Sequence, residues 1–205
     1  MLLRFTSLVV LSVSACLHAE TLGVYLDHPL PEPAAASFRE ELRNLLKETG
    51  VSIELRSLKD RRAGESFDRL MVVQLRGSCE VAGEAAPLKK RTPLASTQVE
   101  GNRILPYTEL FCDRIRSLLT AALEREPLYR RHTLTGRALA RILGHEIYHF
   151  LAQEKTHAGS GVAKNCLGSQ DLLNEDFAFD HHTLARLRAT PEQTVYYEAE
   201  EATGR

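Results

Sequence analysis

Residues 134–153 constrain this chain more than any other segment. Ala138, Leu139, Ile142, Leu143, Ile147, Phe150 and Leu151 fall on nearly every side of one helix, not along a single stripe. A helix of that kind is buried, so the rest of the chain has to wrap it. Its second half nevertheless carries His145, Glu146 and His149. Polar side chains in a buried helix are costly unless they are paired or bound to a metal. The competing reading is a surface helix on which these residues are incidental.

His145 and His149 stand four apart, so they share a helix face about one turn from each other. Two neutral imidazoles so placed hold one Zn²⁺ at roughly 2.0–2.1 Å per bond. Glu146 is rotated off the metal but stays near a water bound to it. A catalytic zinc keeps one position open and lowers the pKa of that water toward about 7. Glu146 is therefore the candidate general base. His145-Glu146-Ile147-Tyr148-His149 is thus an H-E-x-x-H motif with its mechanism attached. Tyr148 inside it is expected to point away from the metal and to pack.

A third ligand is required. His157 follows His149 by eight residues, after a point between residues 153 and 156 where the helix must end. Ala158, Gly159 and Ser160 make a flexible return that can aim His157 at the metal. The competing reading is an ordinary loop histidine.

These residues resemble those of the zincin superfamily of metallopeptidases. The short spacing to a third histidine resembles its metzincin branch, H-E-x-x-H-x-x-G-x-x-H followed by a methionine turn. The resemblance covers roughly residues 103–164. It implies one catalytic zinc, a peptide or protein substrate, and a zincin-like fold. The departures are specific. Leu151-Ala152 brings no glycine to the branch's position, and His157 falls two residues late. The only methionines are Met1 and Met71, so Gly161-Val162-Ala163-Lys164 would have to form the turn, with Ala163 in the methionine's place. A second arrangement stays open. Glu175, expected on the next helix, resembles the gluzincin ligand that completes a His₂Glu site. His181 and His182 read as a solvated helix face, and Tyr196 and Tyr197 as oxyanion helpers only if the tail folds back.

The rest of the chain sets an α/β (α+β) single domain with a mixed sheet against helices. Residues 22–26 read as a first strand. Pro29, Pro31 and Pro33 forbid helix until about residue 34. Over residues 34–48, Phe38, Leu42, Leu45 and Leu46 recur at helical spacing, and Gly50 sits where a C-cap glycine belongs. Residues 51–55 alternate as a half-buried strand, and residues 69–75 are continuously apolar, as a central strand is. Residues 95–99 read as a short strand, turning at residues 100–102 into a strand over 103–111. Pro106 argues that this last strand lies at an edge, where zincins bind extended substrate. Tyr107 on it reads as a packing aromatic. Asp113 is placed to cap a helix over 114–123, and Thr133 the helix over 134–153. Residues 171–188 look helical, and residues 56–65 and 83–93 loop-like. The domain is expected to span residues 20–189, with a polar tail over 190–205.

Residues 1–19 are expected to be a signal peptide: Arg4 precedes an apolar run over residues 5–17 that is too short to span a bilayer. Two outcomes stay open. Cleavage after Ala19 gives a soluble exported protein, periplasmic or extracellular. Val13-Ser14-Ala15-Cys16 alternatively resembles a lipobox, with Cys16 lipidated and the membrane reached only through it. Export implies an oxidising compartment. Of the three remaining cysteines, Cys79 and Cys112 each follow a strand and are the preferred disulfide, leaving Cys166 free. The competing reading makes all three small buried hydrophobes. With 26 basic and 27 acidic residues, nothing suggests a nucleic-acid surface, and a monomer is expected.

The reading is an exported zinc metallopeptidase. Its rival is an exported module in which zinc serves as a fold clip. A third possibility is a lipoprotein of unrelated role in which the motif is coincidental.

Overall fold

The computed structural model describes residues 20–80, 87–89 and 92–189. The expected signal segment, the tail with Tyr196 and Tyr197, and parts of the 83–93 loop lie outside the described residues.

Five strands form one mixed sheet in the order β2-β1-β3-β5-β4. They are β1 (Glu20–Leu26), β2 (Val51–Ser57), β3 (Arg69–Arg76), β4 (Ala95–Glu100) and β5 (Arg103–Phe111). All neighbours run parallel except β4, which returns antiparallel on β5 through the Gly101 turn. β3 is central, as its apolar run predicts. The first crossover is helix α1 (Ala34–Leu46), which starts just beyond the proline cluster and buries Phe38, Leu42, Leu45 and Leu46. Helix α2 (Cys112–Leu123) follows β5, and α3 (Leu128–Ala152) runs through the core. Seventeen residues of α3 between Leu134 and Leu151 are buried, so the expectation of a wrapped helix holds. α1 packs closely on α3: a Cβ on Gly136 would stand 2.2 Å from the Ala34 carbonyl oxygen. The fold is a mixed α/β domain in which helices cover the sheet.

The strand carrying Pro106 is not an edge. β5 lies between β3 and β4. Pro106 escapes the cost of a missing N–H because the β3 ladder begins only at Tyr107, and the β4 pairing shifts register between Thr97 and Val99. Proline at such an irregularity removes no ladder bond. Among the described residues the two edges are β2 and β4, and β4 is the one on the side of α3 that carries Glu146. Tyr107 is half exposed on β5 and does not pack into the core.

Other boundaries moved for local reasons. Asp113 lies inside the first turn of α2, where its carboxylate accepts the Ser78 N–H and an Arg116 guanidinium hydrogen bond. α3 starts five residues before Thr133, at Leu128 after Pro127; the Thr133 hydroxyl donates to the Tyr129 carbonyl and does not cap. The single helix expected over residues 171–188 is two, α4 (Ser169–Leu173) and α5 (His181–Ala189). α4 ends where Asn174 turns extended, and Arg141 on α3 sits against that end. Its guanidinium, 1% exposed, pairs with Glu41 at 2.7 Å and donates to the Asp171 and Asn174 carbonyls. These bonds tie the end of α4 to the buried helix.

Cys79 and Cys112 form the disulfide the sequence favoured, tying the end of β3 to the start of α2. Cys166 is free and exposed. Among the described residues no helix is long and apolar enough to cross a membrane.

Candidate metal centre

His145 and His149 project from one face of α3, with Nε2 atoms 3.1 Å apart. Their other nitrogens are occupied. His145 Nδ1 donates to the Val162 carbonyl at 2.8 Å, and His149 Nδ1 to the Glu154 carbonyl at 2.6 Å. A carbonyl has no proton to give, so each ring carries its hydrogen on Nδ1 and a bare lone pair on Nε2. Two lone pairs facing at this distance repel unless a cation lies between them. Two zinc bonds of about 2.0–2.1 Å at a tetrahedral angle would set their nitrogens roughly 3.3 Å apart. The donor set therefore fits a metal ion, and carbonyl bonds of this kind are what orient ligating histidines. Burial also pushes both imidazoles below their ordinary pKa, which keeps them neutral near pH 7.

His157 joins them. The ligand atoms of His145, His149 and His157 all lie within 4.8 Å of one another, the one such histidine, cysteine or carboxylate group among the described residues. The chain reaches this point by a sharp reversal at Gln153, whose φ is 52°. Glu175 is not brought there. It is exposed, in the connection between α4 and α5, with its backbone carbonyl toward Arg141. Of the two candidate third ligands, His157 joins the histidine pair and Glu175 is not in that group. His181 and His182 open α5 on the exposed surface, their rings tilted against each other with centroids 4.0 Å apart.

Residues 161–164 form the expected turn. Lys164 N–H donates to the Gly161 carbonyl at 3.2 Å, and Val162 and Ala163 are buried at its tip. Gly161 has φ +66°, and a Cβ there would lie 2.6 Å from the Ala178 oxygen. The group of this turn that bonds the site is the Val162 carbonyl, on His145 Nδ1. No sequence signal singled it out, because a backbone carbonyl has no residue signature.

Glu146 is buried beside the histidines, and burial pushes its carboxyl above the usual range against the opposing pull of the Thr97 hydrogen bond and the neighbouring imidazoles. Thr97 Oγ1 on β4 lies 2.5 Å from Glu146 Oε2 and 2.7 Å from Thr108 Oγ1. Sequence reading missed both threonines, whose partner lies on a distant element. Tyr148 is buried with its ring centroid 5.1 Å from that of His149, and its hydroxyl lies within donating distance of Glu154 Oε2 or the Thr156 carbonyl.

The three histidines and Glu146 line a cleft of about 980 Å³. Its walls include Leu94, Ala95 and Ser96 from β4 and its approach, Leu118 of α2, and Asn165 to Leu167 after the turn.

Sheet order, buried site helix and histidine group together define an α/β domain with a candidate metal centre behind its edge strand. No protein-family model and no curated protein matches the sequence. Among solved structures, archaemetzincin from Methanopyrus kandleri is similar, with a TM-score of 0.50 and 11% identity over 86% of this chain and 97% of that one. At that identity the likeness shows the fold.

Proposed function

We propose that this chain is an exported zinc-dependent metallopeptidase. The observation that carries the reading is a juxtaposition: three histidine nitrogens within 4.8 Å, with buried Glu146 beside them, at an open cleft next to a free strand edge. A structural zinc is enclosed by four protein ligands. Three imidazoles facing a cleft leave a position for water instead. The name of the similar structure, archaemetzincin, belongs to the branch that the motif resembles.

Zinc held by His145, His149 and His157 would acidify a water and polarise the scissile carbonyl. Glu146 takes the proton from the attacking water and returns it to the leaving amine. β4 offers its unpaired N–H and C=O groups to an extended peptide, which adds as a further strand. Export is supported by the pattern of residues 1–19 and by the Cys79–Cys112 disulfide. Both processing outcomes, cleavage after Ala19 and lipidation of Cys16, remain part of the proposal.

The test compares wild type with Glu146→Gln on a mixed peptide library, with zinc content measured on both. The expected result is equal zinc and a loss of cleavage of at least about a hundredfold in the variant. Undiminished cleavage by zinc-loaded Glu146→Gln overturns the general base. Stoichiometric zinc with no turnover of any peptide by wild type favours the exported zinc-holding module.

A further inference from the structure

We infer that Gln153 is the positioning residue for His157, holding the reversal that brings this third histidine back to the other two; the inference rests on the zinc-site reading above. Among the described residues, Gln153 is the one non-glycine with a positive φ, 52° with ψ 40°. That left-handed backbone is easy for glycine and unfavourable for a residue with a long side chain. Something must hold it.

The side chain does. Gln153 Nε2 donates to the Ile104 carbonyl at 3.2 Å and to the Phe150 carbonyl at 2.8 Å, while the Ile104 N–H donates to Oε1 at 3.1 Å. The amide thus pairs with both backbone groups of Ile104, as a neighbouring strand would. It stands in for β3, whose ladder on β5 begins only at Tyr107. The end of α3 is pinned to the sheet at the residue where the helix turns back.

The consequence for the site is geometric. Had α3 continued, His157 would lie about 12 Å along the axis from His149. Instead their ring centroids are 4.8 Å apart. The residue after the reversal serves the site as well: Glu154 donates its N–H to the His149 carbonyl and accepts His149 Nδ1. Farther along, Lys155 reaches the Gly101 carbonyl at 2.9 Å and Tyr148 the Thr156 carbonyl at 3.3 Å. The return from 153 to 157 is held along its length, and Gln153 sets where it starts.

The test is a double-mutant cycle read by zinc affinity. Full-length wild type, Gln153→Ala, His157→Ala and the double variant are titrated against a chromophoric zinc chelator, with circular dichroism confirming that each is folded. Gln153→Ala is expected to weaken zinc binding roughly tenfold to a hundredfold, the size of other supporting contacts to ligands. In the His157→Ala background it is expected to cost much less, only what the Glu154 support of His149 loses, because most of its effect runs through His157. Gln153→Gly, which takes the left-handed backbone without strain, is expected to lose less than Gln153→Ala. Equal losses in both backgrounds, no loss in either, or a glycine variant weaker than the alanine variant overturns the inference. A wild-type chain with no zinc affinity overturns the metal reading and this inference together. Zinc affinity without peptide hydrolysis overturns only the peptidase reading and leaves the role of Gln153 supported by the cycle.

Discussion

The Thr97 hydroxyl, on the edge strand, bonds Glu146 Oε2 on the buried helix at 2.5 Å. A hydroxyl has one proton. Facing an ionised carboxylate, Thr97 donates it to Glu146, and buried Thr108 donates to Thr97 in turn. One carboxylate oxygen is thereby committed, and the other is left for a reacting water. The strand that would receive substrate therefore also aims the proposed base. Thr97→Val, which keeps the shape and deletes the hydroxyl, is expected to lower kcat by roughly tenfold to a hundredfold, from about 1.5–3 kcal/mol for a hydrogen bond to a charged group. KM should change little, and Thr97→Ser should retain most of the rate. Steady-state kinetics on a cleavable peptide checks this; an equal loss in the serine variant would assign the effect to methyl packing.

His157 and Glu175 separate the two ligand sets that the sequence leaves open. Of the two, His157 shares the histidine group, while Glu175 is exposed and outside it. His157→Ala is expected to lower zinc affinity by more than about a hundredfold, since supporting contacts alone are worth about ten- to a hundredfold. Glu175→Ala should leave it unchanged. Zinc content after dialysis, measured by mass spectrometry, reads the difference directly, and the reverse ranking would restore the His₂Glu arrangement.

What the sequence discloses here is what short-range pattern controls. The interior of α3 is legible because apolar residues surround it, whereas its first two turns, with Leu128 and Tyr129 exposed, carry no buried face to read. β3 reads as central from its apolar run. Pro106 misleads, because the rule against proline in inner strands assumes an unbroken ladder, and here the ladder shifts beside it. The helix break after Leu173 is invisible for a different reason. The end of α4 there is bound by Arg141, some thirty residues earlier, through the Asp171 and Asn174 carbonyls that only the folded chain brings near. At the site, the two helical histidines and Glu146 follow from spacing alone. The reversal toward His157 does not, since its usual signal is glycine and Gln153 does the same work through contacts to Ile104.

The Cys79–Cys112 disulfide closes a loop over a sequence separation of 33. That loop contains Leu88, Thr92, Leu94 and Ser96, all lining the cleft. Cross-linking a loop of this length removes chain entropy from the unfolded state worth roughly 3–4 kcal/mol. Replacing both cysteines by serine should lower the free energy of unfolding by about that amount, as measured by urea denaturation. Reductant should destabilise wild type and leave the double variant unaffected. A wild-type midpoint that ignores reductant would mean the bond does not form in the protein.

Asp171 gives the fold a dependence on acid with a defined sign. Partial burial alone would raise its pKa, but hydrogen bonds from Lys164 and the Gly168 N–H, with the Lys164 charge, outweigh that and hold the carboxyl below its usual range. The Lys164 ammonium lies 2.6 Å from Asp171 Oδ1, and the Gly168 N–H lies 2.8 Å from Oδ2. A carboxyl depressed in the folded state binds its proton more readily when unfolded, so acid favours unfolding. Its stabilisation is fully present above the unfolded pKa of about 3.9 and disappears as pH falls through the lower folded value. Both side chains are about a quarter exposed, which limits the contribution to about 1 kcal/mol. Asp171→Asn should therefore be less stable than wild type by about that much between pH 5 and 7. The gap should narrow below about pH 4 and close under the folded pKa. Urea midpoints of the two proteins across this range test it, and a gap that stays constant down to pH 3 would show that shape, not charge, is what Asp171 supplies.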